Sequence, residues 1–323
     1  MENNMKKTVL VTAIGTVTAT AIVKELKKAG NYYIIGADIN NQYEIATSLD
    51  VDEYYKFPYS TGEDYVPFAL DFCRKHNVEY YFAVIDKEVV NISRNRALFA
   101  EIGTRLCVAD HDLAEICHFK NSFGKWLDAN FPEIAIREYR SAQEAEKASF
   151  PVFIKPSEGV GSSGCRQINS FQELLTAVDA CKLGTDFIVQ DFVSGMNITV
   201  DCVRNRRTGQ KIQVQRRELL RNSNGCGIAV EIFHSDELEK ICDRLMEKLD
   251  LNGVINIEFF ETENGYKLIE INPRFSAGTL FSCMAGANTV MNAVHIADEQ
   301  PCEFGQILIG AHFAERYEPY RMN

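Results

Sequence analysis

The sequence of 323 residues lacks any uninterrupted apolar run close to the roughly 20 residues that a membrane-spanning helix needs. Its first residues pass from MENNMKK directly into TVLVTAIG, without the apolar core and cleavage site of a signal peptide. The ten cysteines form no C-x-x-C pair, and the six histidines form no H-E-x-x-H motif. These absences argue against a membrane span, a disulfide framework and a zinc centre. They predict a cytoplasmic protein with reduced thiols.

The chain also has no excess of basic side chains. It carries 45 acidic and 34 basic residues, which gives a formal net charge of −11. A nucleic-acid-binding protein usually presents a basic face, so this balance argues against nucleic acid as a partner. It does not exclude a small anionic ligand, because such a ligand responds to the charges of its own pocket. The length predicts two or three domains.

The first part of the chain alternates between strand and helix patterns. Residues 8–15 (TVLVTAIG) and 32–38 (YYIIGAD) have the pattern of buried strands, and residues 17–29 have that of a helix. Another strand is expected around 79–85. Short turns between alternating elements favour a Rossmann-like parallel sheet, which we predict for residues 1–110. The first turn has one glycine where a dinucleotide fingerprint needs G-x-G-x-x-G, which argues against NAD.

The rest of the chain mixes helices and strands without repeats or long linkers. We divide it into a central domain, residues 111–190, and a C-terminal domain, residues 191–323. An amphipathic helix is expected directly after residue 110. Strands are predicted at 135–139, 151–155, 165–168, 186–190, 196–204, 210–218 and 307–315. Helices are predicted at 170–181, 236–249 and 287–298, and a hairpin at 254–272.

The segment FIKPSEGVGSSG (153–164) joins a strand that ends on a lysine to a loop of small residues. Glycines let backbone N–H groups turn toward a phosphate, serines add hydroxyl donors and lysine adds a compact cation. A P-loop is excluded, because Cys165 and Arg166 stand where Lys-Ser/Thr is required. Considered alone, the segment could equally be a flexible surface turn with a solvated lysine. The candidate anion ligands are Lys155, Gly159, Gly161, Ser162, Ser163 and Gly164.

The segment GVINIEFFETENGYKLIEINPRF (253–275) reads as a hairpin turning at Asn264-Gly265. A three-residue loop at 263–265 would place Glu258 directly opposite Glu270, whereas a two-residue loop would put them on opposite faces. Two opposed carboxylates repel each other, and the neighbouring isoleucine and phenylalanine side chains argue against free solvation. A divalent cation would remove this conflict, with Asn272 as a third oxygen ligand. Such hard ligands select Mg²⁺ or Mn²⁺; a solvent-exposed polar hairpin is the alternative.

Four features in order resemble the ATP-grasp superfamily. They are a lysine on a helical segment (Lys120), a strand lysine before a glycine-rich loop (Lys155), the QDFVSG segment, and INIEFF followed by LIEINPR. The chain is most similar to the carbamoyl-phosphate-synthase-like carboxylate–amine ligases and their relative in pyrrolysine biosynthesis. The resemblance covers nearly the whole chain. It implies an α/β fold with a Rossmann-like (pre-ATP-grasp) parallel sheet followed by a two-lobed α+β ATP-grasp domain.

The resemblance implies a role for each matching residue. Lys120 and Lys155 would contact the phosphates of ATP, and the glycine-rich loop would close over them. Arg274 would steady the transferring phosphoryl group or the acceptor carboxylate, and Arg217 would lie near the acceptor. The remaining assignments are Gln190, Asp191, Phe192 and Val193 as the adenine-binding hinge, Asn197 at the ribose, and Glu258, Glu270 and Asn272 as ligands of two magnesium ions.

Two positions depart from the family pattern. Asp191 replaces the usual hinge glutamate and shortens its reach by one methylene group. Asn197 replaces a ribose-binding glutamate and lacks its charge, a loss that Asp201 could offset if it faced the site. Asp38 and the stretch 86–88 could line an acceptor pocket, although helix capping explains them equally well. His234, His295 and His312 show no ligand spacing and are expected to be structural.

The predicted function is that of an ADP-producing ligase. Mg·ATP would phosphorylate a small-molecule carboxylate, and an amine, with an amino acid favoured, would displace phosphate to form an amide. A homodimer is the default expectation for assembly. The alternative is a nucleotide-binding regulatory or complex subunit of the same fold without turnover of its own. The enzyme is favoured by the intact set of Lys155, Glu258, Glu270, Asn272 and Arg274, whereas Asn197 favours the regulator slightly.

Overall fold

The computed structural model describes residues 6–157 and 164–322. Its strands belong to three sheets that follow one another along the chain. The strands are β1 Lys7–Thr12, β2 Tyr32–Asp38, β3 Glu53–Lys56, β4 Tyr80–Phe82, β5 Arg105–Leu106, β6 Glu138–Tyr139, β7 Val152–Pro156, β8 Arg166–Ile168, β9 Phe187–Asp191, β10 Met196–Arg204, β11 Lys211–Arg221, β12 Gly227–Phe233, β13 Gly253–Thr262, β14 Gly265–Asn272 and β15 His312–Ala314.

Helices cover or connect these sheets. The α-helices are α1 Val17–Ala29, α2 Tyr65–His76, α3 Asp86–Arg94, α4 Arg96–Glu101, α5 His111–His118, α6 Lys120–Asn130, α7 Ala142–Ala145, α8 Phe171–Ala177, α9 Asp236–Lys248, α10 Thr279–Met284 and α11 Thr289–Ala297. None of those in the described ranges is long and apolar enough to cross a lipid bilayer.

The first sheet is parallel and has the strand order β3-β2-β1-β4-β5. Helix α1 begins after Thr16, whose hydroxyl caps the N–H of Ala19, and ends at Gly30 with φ +80°. Only a residue without Cβ adopts that left-handed conformation freely, so the helix stops where the sequence predicts. The Rossmann-like sheet expected from strand–helix alternation is thereby confirmed.

The second and third sheets are antiparallel. The second has the order β6-β9-β7-β8, and the third has the order β14-β13-β10-β11-β12-β15. One face of the third sheet packs on α6 and α9 in an apolar core that includes Ile257 and Phe259. Since side chains alternate along a strand, the neighbouring residues Asn256 and Glu258 belong to the other face. That face is polar over several strands, and it carries the candidate site.

The end of the chain packs against its beginning. Val290 and Val294 of α11 share an apolar core with Val9 of β1 and Ile22 of α1. This packing holds the first sheet and the third sheet together. As a result, the first residue of α3 reaches the loop that follows β14, where Asp86 meets Arg274.

A candidate nucleotide and metal site

A cavity of about 310 Å³ lies between the second and third sheets, and Asp86 at the start of α3 also lines it. Its walls come from α5 and α6, from β6, β7 and β9, and from β10, β11, β13 and β14. A space of this size is at the lower end of ordinary ligand pockets. Among the residues that the sequence singles out, its lining includes Lys120, Lys155, Gln190, Asp191, Phe192, Val193, Asn197, Glu258, Glu270, Asn272 and Arg274.

Other predicted residues are not in this lining. Gly164, with φ +75°, ends the glycine-rich loop outside it. The remaining loop predictions, Gly159, Gly161, Ser162 and Ser163, lie outside the described residues.

The acidic hairpin has the predicted pairing but a different loop. Thr262 pairs with Gly265, so the loop contains two residues and not three. Beyond Phe259 and Leu268 the register shifts, and Glu258 then pairs with Glu270. The extra residue is Ile269, a β-bulge that returns the two carboxylates to the same face. The predicted three-residue loop was therefore wrong, while the opposition of the two glutamates was correct.

The two glutamates are half-buried, and the negative charge of one opposes ionisation of the other. Burial, followed by the negative charges of Glu270 and Glu218, raises the pKa of Glu258 to about 8. A carboxyl group with so high a pKa holds a proton that a cation could replace. The two carboxyl groups offer oxygen ligands, and Asn272 would add its amide oxygen, which here accepts from Arg274; ligands of this kind fit Mg²⁺ or Mn²⁺.

Asn272 and Arg274 are held in place from both sides. The Asn272 amide nitrogen donates to Asn256 Oδ1 at 3.1 Å and to Glu258 Oε1 at 3.3 Å. Arg274 donates to Asn272 Oδ1 at 3.2 Å and to Asp86 Oδ1 at 2.9 Å. Burial alone would lower the pKa of Arg274, but the charges of Asp86, Glu270 and Glu258 raise it above its ordinary value. A fixed cation therefore stands beside the candidate metal ligands.

Lys155 faces this acidic hairpin across the cavity. It is only 8% exposed and lies near the end of β7. Burial lowers the pKa of Lys155, against the opposing charges of Glu270 and Glu138, and the positive charge of Lys120 lowers it further. Two lysines and a pair of carboxylates thus share one desolvated space, where charge interactions are stronger than in water.

The hinge predicted at 190–193 runs along the same cavity. Gln190 is buried and donates to Glu138 Oε1 at 3.0 Å, and the Asp191 carboxylate accepts from the Tyr139 hydroxyl at 2.6 Å. The side chain of Asp191 is therefore already engaged by a neighbour. Phe192 is 41% exposed and offers an apolar surface at the same wall.

Asn197 lies on the wall formed by β10 and is bound by an arginine that the sequence did not single out. Its Oδ1 accepts from Arg221 at 2.8 Å, and Arg221 also pairs with Glu218 at 2.7 Å and with Glu258 at 3.6 Å. Regular alternation from Glu218 would turn Arg221 away from the cavity. Register shifts between Glu218 and Arg221 bring it back, which is why the sequence pattern did not reveal it.

The structure does not bring Arg217 to the cavity. Its guanidinium pairs with Glu261 at 3.0 Å and with Glu231 at 3.3 Å, and it lies over the ring of Phe233. Arg217 pairs across the sheet with Ile198, a core residue, so its side chain belongs to the face opposite the site. The expected position beside the acceptor is corrected on this ground, and the two-residue period of the strand is the reason.

Asp201 does not lie where it could bind the ribose, and Asp38 does not line the cavity where an acceptor would bind. Asp201 is 2% exposed and pairs with the buried Arg216 at 2.6 Å, so it cannot replace the charge missing at Asn197. Asp38 accepts from the backbone N–H of Gly15 at 2.9 Å and is not in the cavity lining. Asp86 does line the cavity, where it binds Arg274.

Two family models match separate parts of the chain. Residues 9–107 match the model described as "PylC-like, N-terminal domain". Residues 184–309 match the model described as "ATP-grasp in the biosynthetic pathway with Ter operon". The first match covers the parallel sheet, and the second covers the hinge and the sheet with the acidic hairpin.

Curated relatives cover much of the same chain at modest identity. The carbamoyl phosphate synthase large chain of Clostridium botulinum (strain Alaska E43 / Type E3) is 26% identical over 276 residues, which are 79% of this chain and 24% of that protein. The D-alanine–D-alanine ligase of Corynebacterium jeikeium is 27% identical over 176 residues, which are 46% of each chain. The chain therefore spans about a quarter of the carbamoyl phosphate synthase large chain it resembles.

Solved structures show the same fold at low identity. The biotin carboxylase domain of Hydrogenobacter thermophilus 2-oxoglutarate carboxylase, solved with MgADP and bicarbonate, matches 95% of this chain and 73% of its own with TM-score 0.76 and 17% identity. The N5-carboxyaminoimidazole ribonucleotide synthetase of Thermotoga maritima matches 95% and 80% with TM-score 0.68 and 19% identity. The family models therefore show a PylC-like N-terminal domain in residues 9–107 and, behind it, an ATP-grasp domain in residues 184–309.

Proposed function

We propose that the chain is an ATP-dependent carboxylate–amine ligase that forms an amide through an acyl phosphate and releases ADP and phosphate. The observation that carries this proposal is the arrangement across one cavity of Lys155 on β7 and the opposed pair Glu258 and Glu270 on the hairpin. A triphosphate binding between them would meet a cation on one side and metal ligands on the other.

The proposed binding of the nucleotide follows the walls of the cavity. Lys155 and Lys120 would bind phosphate oxygens through charge-assisted hydrogen bonds, which are stronger than neutral ones. The backbone at 190–193 and the exposed ring of Phe192 would hold the adenine. Asn197 would accept from a ribose hydroxyl, in competition with its present donor Arg221.

Glu258, Glu270 and Asn272 would hold Mg²⁺ or Mn²⁺. When bound, such an ion neutralises charge on the phosphates and orients them for in-line attack. The chain's own contribution is positional and electrostatic. Arg274, fixed by Asp86 and Asn272, would stabilise the negative charge that develops on the transferring phosphoryl group.

The acceptor carboxylate would attack the γ-phosphorus, break its bond to the leaving ADP oxygen and form the acyl phosphate. The amine would then attack the acyl carbon, lose a proton and expel phosphate. Burial of Lys155 indicates that the cavity is poorly hydrated around it, which would slow hydrolysis of the intermediate. We propose an amino acid as the amine, a cytoplasmic location and a homodimer as the assembly.

The test is to identify the products with purified protein and pairs of carboxylates and amines. The proposal predicts carboxylate-dependent release of ADP and phosphate, trapping of the intermediate by hydroxylamine as a hydroxamate, and full coupling only with an amine. Production of AMP and pyrophosphate would instead show an adenylating ligase and would overturn the proposed chemistry.

A nucleotide-binding subunit without turnover is the second candidate. The observation in its favour is that Asn197 lacks the charge of the family glutamate and is already bound by Arg221. Such a protein would bind Mg·ATP but release no ADP with any carboxylate. The retained positions of Lys155, Glu258, Glu270, Asn272 and Arg274 favour the enzyme.

A further inference from the structure

Arg221 contacts two of the proposed ligand-binding side chains at once. Its Nη1 donates to Asn197 Oδ1, the proposed ribose acceptor, at 2.8 Å. Its Nη2 lies 3.6 Å from Oε2 of Glu258, a proposed metal ligand. Arg221 and both of these partners line the cavity. One guanidinium therefore joins the wall where the sugar would bind to the carboxylate where the cation would bind.

A third contact holds the base of this guanidinium. Arg221 Nε lies 2.7 Å from Oε2 of Glu218, whose side chain is only 8% exposed. The Thr199 hydroxyl donates to the other carboxylate oxygen, Oε1, at 2.6 Å. The side chain of Arg221 is more open, at 29% exposed. Glu218 is thus a fixed anchor, about which the guanidinium can turn away from Asn197 and Glu258.

Arg221 and a divalent cation would compete for Glu258. Burial and the charges of Glu270 and Glu218 raise the pKa of Glu258, and the charges of Arg221 and Arg274 oppose this rise. Arg221 therefore already supplies part of the positive charge that stabilises the ionised carboxylate. A cation bound to that carboxylate would repel the guanidinium, because like charges interact strongly in a partly desolvated space. A ribose hydroxyl would likewise compete with Arg221 for the oxygen of Asn197.

We propose that Arg221 competes with both the metal and the nucleotide and thereby couples the binding of the two. This inference rests on the proposed nucleotide and metal site. When either ligand displaces the guanidinium, the obstacle to the other ligand is also removed, so each raises the affinity for the other by the same factor. This coupling is additional to any direct contact between a metal ion and the nucleotide phosphates.

Adenosine isolates this coupling, because it carries the ribose but no phosphate that could bind the metal. The dissociation constant of Mn²⁺ is titrated by electron paramagnetic resonance without adenosine and in saturating adenosine. In wild-type protein we expect adenosine to lower this constant roughly 5- to 20-fold, at the lower end of ordinary coupling between two sites. In Arg221→Met, which keeps an apolar stem but removes the guanidinium, the change should be less than about twofold.

Two further variants separate coupling from loss of structure. Arg217→Met removes an arginine of the same strand that lies on the opposite face, so the effect of adenosine should remain as in wild type. If Arg221→Met does not fold because Glu218 is left as a buried unpaired charge, Glu218→Gln combined with Arg221→Met removes both charges of the pair and gives the same test. Circular dichroism would establish that each variant is folded.

The coupling role of Arg221 is overturned if wild-type protein binds adenosine and Mn²⁺ independently, or if a folded Arg221→Met protein retains the wild-type effect of adenosine. If adenosine binds too weakly to reach saturation, ADP replaces it. The effect of ADP on Mn²⁺ affinity should then be roughly 5- to 20-fold smaller in Arg221→Met than in wild type, and an equal effect in both overturns the role. A wild-type protein that binds ADP but no Mn²⁺ would instead overturn the proposed metal site and, with it, this inference.

Discussion

Glu258 lies directly opposite Glu270 even though the hairpin that joins their strands has a two-residue loop. A regular ladder from that loop would place Ile269 opposite Glu258 and turn Glu270 toward the apolar core. The bulge at Ile269 prevents this, and it gives the hairpin two carboxylates on its polar face. Bulges often occur next to active sites, where they redirect a side chain, and this one creates the like-charged pair that a cation would relieve.

We predict that Glu270→Gln abolishes metal-dependent turnover while the protein stays folded. The substitution removes the repulsion with Glu258 but also the attraction of Glu270 to Lys155 and Arg274, so the free energy of unfolding in EDTA should change by less than about 1 kcal/mol. Urea denaturation and ADP release at limiting Mg²⁺ would measure the two properties. Glu263→Gln, an exposed residue in the turn of the same hairpin, is the matched control. Normal ATP hydrolysis by Glu270→Gln at limiting Mg²⁺ would contradict the metal assignment.

We predict that Lys155→Ala weakens ATP binding roughly 10- to 100-fold, because the charge-assisted contact is worth about 1.5–3 kcal/mol. Calorimetry with ATP would measure the change, and circular dichroism would establish that the variant is folded. Lys125→Ala serves as the control, since Lys125 is exposed on α6 and is not in the cavity lining. Unchanged ATP affinity in folded Lys155→Ala would show that the phosphates bind elsewhere.

The sequence predicts most elements of the site because short periodic patterns identify strands reliably. Alternating or continuous apolar runs located β1, β7, β10 and the hairpin. Lys155 then lies near the end of β7, and Glu270 and Asn272 lie at the end of β14, as expected. Strand β12 was missed, because its seven residues follow a turn rich in glycine and asparagine and resemble a loop continuation.

Local irregularities explain what the sequence could not predict. The bulge at Ile269 and the register shifts before Arg221 each displace one residue from regular alternation, which reverses the face of every following side chain. Arg217 illustrates the opposite case, since regular alternation places it on the far face while its neighbour Arg216 faces Asp201. Deciding between faces needs the pairing of neighbouring strands, which one strand's sequence does not contain.

We predict that Glu88→Gln flattens the dependence of stability on pH. Glu88 is 2% exposed and accepts hydrogen bonds from Thr12, Tyr65 and Tyr81 at 2.7, 2.5 and 2.6 Å. Burial raises the pKa of Glu88 above its ordinary value of 4.5 despite these donors. The folded protein therefore keeps a proton that the unfolded chain releases near this ordinary value.

The stabilising contribution of this proton is complete below the unfolded pKa and is lost as the pH rises through the folded pKa. Between these two pKa values, Glu88 lowers the free energy of unfolding by at most about 1.4 kcal/mol for each unit of pH increase. Urea denaturation between pH 4.5 and 8 should show a shallower decline for Glu88→Gln than for wild type. Glu63→Gln, at an exposed position, should retain the wild-type slope. Identical slopes for Glu88→Gln and wild type would disprove this role.

We predict that Asn197→Ala abolishes the preference of the protein for ATP over ATP analogues that lack a ribose hydroxyl. If Asn197 accepts from a ribose hydroxyl, wild-type protein should bind ATP about 2- to 10-fold more tightly than the analogue lacking that hydroxyl, as expected for one neutral hydrogen bond. Asn197→Ala should bind ATP, 2′-deoxy-ATP and 3′-deoxy-ATP with equal affinity. Loss of the Arg221 contact alone would weaken all three nucleotides together and leave the wild-type ratio intact. The ratio of affinities, measured by competition calorimetry, therefore separates ribose recognition from a structural role, and an unchanged ratio would remove Asn197 from the nucleotide site.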